Sequence, residues 1–246
     1  MQKNSLKLKI AHLYPDLLNI YGDMGNIVAL EKRLRWRGIE VETTKITSGM
    51  SIKADDYDLF FAGGGQDNQQ ILAANELIKN GVELIRAAQS GKPMLVICGS
   101  YQLFGKHYIT LDGKKLRGIS ILDVTTKAGD TRFIGNVTAT CDFLPIRTIV
   151  GFENHSGLTY LGEKAEPLFK IKVGNGNNGV DKTEGARFKN VFGTYLHGPI
   201  LPKNPHFCDY LIELALNNKY DCKIPLMPLN DEIEYYAHES RICAKY

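Results

Sequence analysis

Cys98 is the side chain of this sequence best placed for covalent chemistry. It follows the apolar run Met94-Leu95-Val96-Ile97 and precedes Gly99 and a short helical stretch over residues 101–104. Strand, tight turn and helix together make a nucleophile elbow, in which the turn lifts one side chain above the sheet edge. Amides at a helix start favour a thiolate over a thiol. Gly99 removes bulk where an amide would face a tetrahedral oxyanion. The plain alternative is a buried core cysteine, since free cysteine packs as a small hydrophobe. His197 bears on that choice. It stands after a short apolar strand and before Gly198-Pro199, and open α/β folds build their sites at the carboxyl ends of strands. There it can take the thiol proton and return it to a leaving amine; otherwise it is a core or turn histidine. His155, in Phe152-Glu153-Asn154-His155, is the rival among the remaining histidines, lining the cleft or meeting a partner. Gly63-Gly64-Gly65 ends another apolar strand. Three glycines in a row imply close backbone approach or unusual dihedrals. The amides of Gly64 and Gly65, with Gly99, are candidates for an oxyanion hole. A nucleotide-binding loop is not supported, because neither GxxxxGK[ST] nor a spaced GxGxxG is present.

The elements that must position these groups follow from periodicity. Residues 6–13, 39–46, 58–62, 93–97 and 192–196 read as strands, and residues 26–36, 68–79, 82–89 and 208–217 as helices. Asn26 is the expected cap of the first helix. Alternation of strand and helix predicts an α/β fold: a mostly parallel sheet flanked by helices. Residues 108–165 change character, with short β-branched runs at 119–125, 136–140 and 149–152, and predict an antiparallel excursion between about residues 108 and 190. GNGNNG over 174–179 reads as a flexible loop or paired turns. No repeat or linker divides the chain, so residues 1–246 are expected to form a single domain.

Composition narrows the function classes. The formal charge of +3 does not provide the concentrated basic face that nucleic acid requires, so no nucleic-acid partner is expected. No apolar run reaches the roughly 20 residues of a membrane span, and the polar start lacks a signal-peptide core. The five cysteines, at 98, 141, 208, 222 and 243, form no CxxC pair. Structural metal and disulfides are therefore not expected, and reduced thiols in the cytoplasm fit best.

Taken together, Gly63-Gly64-Gly65-Gln66-Asp67, Cys98-Gly99-Ser100-Tyr101-Gln102 and Tyr195-Leu196-His197-Gly198-Pro199 resemble the class I glutamine amidotransferases, and within them the cobyric acid synthase-like branch. His12-Leu13-Tyr14-Pro15-Asp16-Leu17-Leu18-Asn19-Ile20-Tyr21-Gly22-Asp23-Met24-Gly25-Asn26 and Phe152-Glu153-Asn154-His155 carry a narrower resemblance, to the glutaminase subunits of lipid II isoglutaminyl synthases. That resemblance implies L-glutamine as substrate and a heterodimer with a Mur-ligase-like synthetase subunit. It places ATP on that partner, with no cofactor on this chain, and makes the acceptor the D-glutamate of the lipid II stem peptide in peptidoglycan synthesis. It also implies that one mid-chain arginine binds substrate; Arg132 matches best, and a guanidinium fork suits the α-carboxylate of free glutamine. Two other readings stand beside it: an ammonia donor for another acceptor, such as a cobyrinate-like acid, and a catalytically silent regulatory subunit.

Many class I amidotransferases orient the histidine with a glutamate two residues on, where this chain has Pro199. Proline offers neither charge nor amide donor. Three sources of help remain open: a bare Cys98–His197 dyad, a carboxylate folding back from Asp231, Glu232 or Glu234, and an aspartate lent by the ligase partner, which the resemblance favours.

Overall fold

A computed structural model describes residues 5–65 and 67–243. In chain order the elements begin with β1 (Lys7–Leu13), α1 (Met24–Trp36), β2 (Glu40–Ile46) and β3 (Leu59–Ala62). Then come α2 (Asp67–Lys79), α3 (Gly81–Gln89), β4 (Met94–Ile97) and α4 (Gly99–Phe104). A strand-rich stretch follows, with β5 (His107–Ile109), β6 (Lys115–Arg117), β7 (Val124–Thr140), β8 (Thr148–Leu161), β9 (Phe169–Val173) and β10 (Thr183–Glu184). The chain closes with β11 (Ala186–Phe188), β12 (Val191–Thr194), α5 (Ile200–Lys203), α6 (Pro205–Tyr220) and α7 (Glu232–Cys243).

Two sheets result. The first has the order β11-β12-β4-β3-β1-β2, parallel throughout except for the antiparallel edge strand β11. Its central strands β3 and β4 are fully buried LFFA and MLVI runs, as expected for strands covered on both faces. The second sheet is built on the antiparallel β7–β8 pair, with β5 and β9 on the other edge of β7. This is the expected α/β architecture with its antiparallel excursion. The short runs foreseen there are instead pieces of two long strands, β7 of 17 residues and β8 of 14. The pair is interrupted between Ala128 and Phe133, where the register shifts.

Other boundaries differ from expectation. The first helix starts after Asp23, whose side chain makes no capping hydrogen bond; Asn26 lies inside the helix, where its side chain accepts the Leu201 N–H at 2.9 Å. The 174–179 segment is pinned by buried Glu153, whose carboxylate accepts the Asn175 and Gly176 amides at 2.9 Å. A further helix, α7, follows α6. Buried Arg33 anchors the segment before α7 by bonding Asp209 and Asp231, each at 2.6 Å. Among the described residues no helix is long and apolar enough to cross a membrane.

Candidate active site

Cys98 lies between β4 and α4 with φ 53° and ψ −107°, backbone angles that cost a side-chain-bearing residue on the order of 1–3 kcal/mol. Surrounding contacts hold it there. Its N–H donates to Thr194 O at 2.8 Å, and the Ser100 hydroxyl donates to the Gly63 carbonyl, tying the elbow to the glycine turn. The glycines serve close approach. A Cβ on Gly64 would lie 2.9 Å from His197 Cε1 and 3.3 Å from Cys98 Cβ, and one on Gly99 would overlap the Gln70 amide.

The same geometry places Cys98 Cβ and His197 Cε1 within roughly 6 Å of each other. His197 follows β12 and is pinned through its backbone, with its N–H donating to Phe152 O at 2.8 Å. Its ring is fully buried, and its Nδ1 bonds Asp23 Oδ1 at 3.1 Å. With Nδ1–H donating to a carboxylate, Nε2 is left for the thiol; it has no other partner. Burial opposes the imidazolium, but the charges of Cys98 and Asp23 and the Asp23 hydrogen bond outweigh it and push His197 up to about 10.

Within this chain the carboxylate on His197 is that of Asp23, a source not among those left open by the sequence. Asp231 is committed to Arg33, and neither Glu232 nor Glu234 is the carboxylate on His197. Asp23 also engages one of the expected oxyanion donors, because its Oδ2 accepts the Gly64 N–H at 2.7 Å. The Gly64 amide is spent on orienting the acid; those of Gly65 and Gly99 remain.

Cys98 opens on a polar cavity of about 480 Å³, lined also by Tyr21, Gly65, Gln70, Gln102, Arg132 and Asn154. Arg132 leaves the β7 irregularity to reach this cavity, donating from Nε to Asn154 Oδ1 at 2.6 Å and from Nη2 to the Tyr21 hydroxyl at 2.8 Å. His155 is a buried residue in the wall of this cavity. Its ring stacks on Tyr195 at 3.6 Å, its Nδ1 bonds Gly157 O at 2.9 Å, and burial pushes it down to about 4. Among the described residues, no group of three or more His, Cys, Asp or Glu side chains is placed to hold a metal ion.

Comparison with known proteins adds an independent line. Residues 9–205 match the CobB/CobQ-like glutamine amidotransferase domain. The lipid II isoglutaminyl synthase (glutamine-hydrolyzing) subunit GatD of Staphylococcus aureus is 45% identical over 235 residues, 95% of this chain and 94% of the relative. Its Streptococcus pneumoniae counterpart of the same name is 37% identical over 226 residues, 92% of this chain and 86% of the relative. A crystal structure of a glutamine amidotransferase shares the fold with a TM-score of 0.55 at 15% identity, over 83% of this chain and 98% of that one. With its domain matched across both sheets and its relatives aligned nearly end to end, the chain belongs to the CobB/CobQ-like glutamine amidotransferase family.

Proposed function

We propose that this chain is the glutaminase subunit of a two-subunit enzyme, and that its ammonia amidates the D-glutamate of the lipid II stem peptide. The observation that carries the glutaminase part is the buried Cys98–His197–Asp23 constellation opening on a polar cavity that holds Arg132. Arg132 takes the α-carboxylate of L-glutamine and directs the carboxamide to Cys98. The thiolate attacks the amide carbon, and the Gly65 and Gly99 amides receive the oxyanion. His197, held by Asp23, protonates the departing ammonia. It then serves as base for the water that hydrolyses the thioester. The acceptor and the partner rest on the two GatD relatives, whose names specify lipid II isoglutaminyl synthase. The partner is a Mur-ligase-like synthetase that binds ATP and activates the acceptor carboxylate. Both act in the cytoplasm, whose reducing conditions suit a free thiol.

The test is glutamate release from L-glutamine by the purified chain, alone and with the synthetase. Cys98→Ala is expected to abolish release while leaving the thermal transition in place. A glutamine-like electrophile is expected to label Cys98 and none of the other four cysteines. Undiminished hydrolysis by Cys98→Ala, or labelling at Cys141 or Cys208, would overturn the assignment.

A further inference from the structure

Tyr21 has no part in the reaction as described so far, yet it touches both ends of it. It sits on the loop before Asp23, in a left-handed conformation with φ 54°, a geometry that costs a tyrosine energy unless something holds it. Two contacts involve its side chain. The ring meets the His197 ring edge-to-face, with centroids 4.9 Å apart and planes at 72°. The hydroxyl accepts the Arg132 Nη2–H at 2.8 Å. Tyr21 also lines the Cys98 cavity and is 43% exposed, while His197 beneath it is fully buried.

A phenol that accepts from a guanidinium keeps its own O–H to give away. Arg132 already binds through Nε and Nη2, so a carboxylate arriving at its free edge would come close to that O–H. We infer that Tyr21 is a second substrate-binding residue, donating its hydroxyl hydrogen to the α-carboxylate held by Arg132, and that its ring is the positioning lid of His197. This rests on the glutaminase reading and adds to it a direct connection between the substrate's carboxylate and the catalytic imidazole. A substrate that engages Arg132 and Tyr21 together fixes the phenol ring, and the ring in turn holds the imidazole in line with Cys98. Substrates without the α-carboxylate leave that lid unanchored.

The two roles separate by variant and by substrate. Tyr21→Phe keeps the ring and loses the hydroxyl; Tyr21→Leu loses both. Turnover of L-glutamine is compared with that of 4-aminobutanamide, which is glutamine without its carboxylate, read by its inhibition constant where it is not turned over. Tyr21→Phe is expected to raise the KM for glutamine about 10-fold, as for loss of one hydrogen bond to a charged group. Its kcat should fall less than that of Tyr21→Leu, and the constant for 4-aminobutanamide should not move. Tyr21→Leu is expected to lower kcat in addition, by about 10-fold or more. Tyr21→Phe is close to isosteric, so the test survives if Tyr21→Leu does not fold. An unchanged glutamine KM in Tyr21→Phe overturns the binding role, as does an equal loss on both compounds. A Tyr21→Leu kcat equal to that of Tyr21→Phe overturns the lid. Failure of the wild-type chain to release glutamate would instead remove the glutaminase reading itself.

Discussion

Asp23 stands 174 positions before the histidine it orients. Its contribution has a sign that can be tested. The carboxylate raises the affinity of His197 for its proton, helping to push it up to about 10 against burial. Asp23→Asn removes that charge, so the imidazolium should lose its proton at lower pH and the basic limb of the kcat profile should move down. Asparagine can also turn its amide N–H toward Nδ1 and favour the wrong tautomer, an effect that costs serine enzymes about 10⁴-fold. A thiol is more ionised than a hydroxyl near neutrality, so about 10²-fold is expected here. A profile superimposable on wild type would mean that Asp23 serves only the Gly64 amide. Cys98, His197 and the glycine turn were legible in the sequence because each directly follows a central strand of one sheet. Asp23 was not, because nothing local marks a loop aspartate as a partner of a residue so distant in the chain.

Secondary elements show the same division. Central strands were recognisable from uniform hydrophobicity, since burial on both faces leaves no polar position. The long β7 looked like fragments because Lys127, Asp130, Thr131 and Arg132 fall along it, where the strand pair is interrupted. The helix α7 went unseen because Ile233 and Tyr236 face solvent, so its apolar residues trace no buried stripe. One junction between the sheets has a measurable consequence. Glu184 of β10 is fully buried and accepts the Tyr195 N–H at 2.7 Å and the Thr194 hydroxyl at 2.9 Å, bracing the strand end that carries His197. Burial pushes its carboxyl up to about 8 from an ordinary 4.5. Between those values the unfolded chain ionises while the folded chain keeps the proton, so folding stability should fall as pH rises. The limiting slope is about 1.4 kcal/mol per pH unit for one proton. Glu184→Gln retains an acceptor for Tyr195 without the titration. Its melting temperature should therefore depend less on pH between about 4.5 and 8. Parallel curves for the two proteins would assign the pH dependence elsewhere.

On the scale of the whole molecule, the second sheet acts on the first by reaching its active edge. Phe152 of β8 exchanges backbone hydrogen bonds with His197, and Arg132 from the β7 irregularity extends to Tyr21. Cys98, His197, Asp23 and Arg132, the residues of the proposed reaction, thus all come from one polypeptide. That bears on how the partner contributes. A partner lending the orienting aspartate would make hydrolysis depend on docking; with Asp23 in place, the isolated chain should hydrolyse glutamine by itself. The synthetase would then be needed for what these residues do not provide, activation of an acceptor carboxylate with ATP. The two steps can be followed together with L-glutamine carrying ¹⁵N in its side-chain amide, in the presence of excess unlabelled ammonium. The isolated chain should release labelled ammonia and amidate nothing. With the synthetase, ATP and lipid II, the product amide should carry the label well above its fraction in free ammonium, since ammonia passed directly between subunits does not mix with the pool. Aspartate-to-asparagine changes across the synthetase surface that meets this chain should leave glutamate release by the complex within about twofold, because each leaves the Asp23 pair intact. If the isolated chain is inert and one such change silences the complex, the working acid is the partner's and Asp23 only shapes the glycine turn.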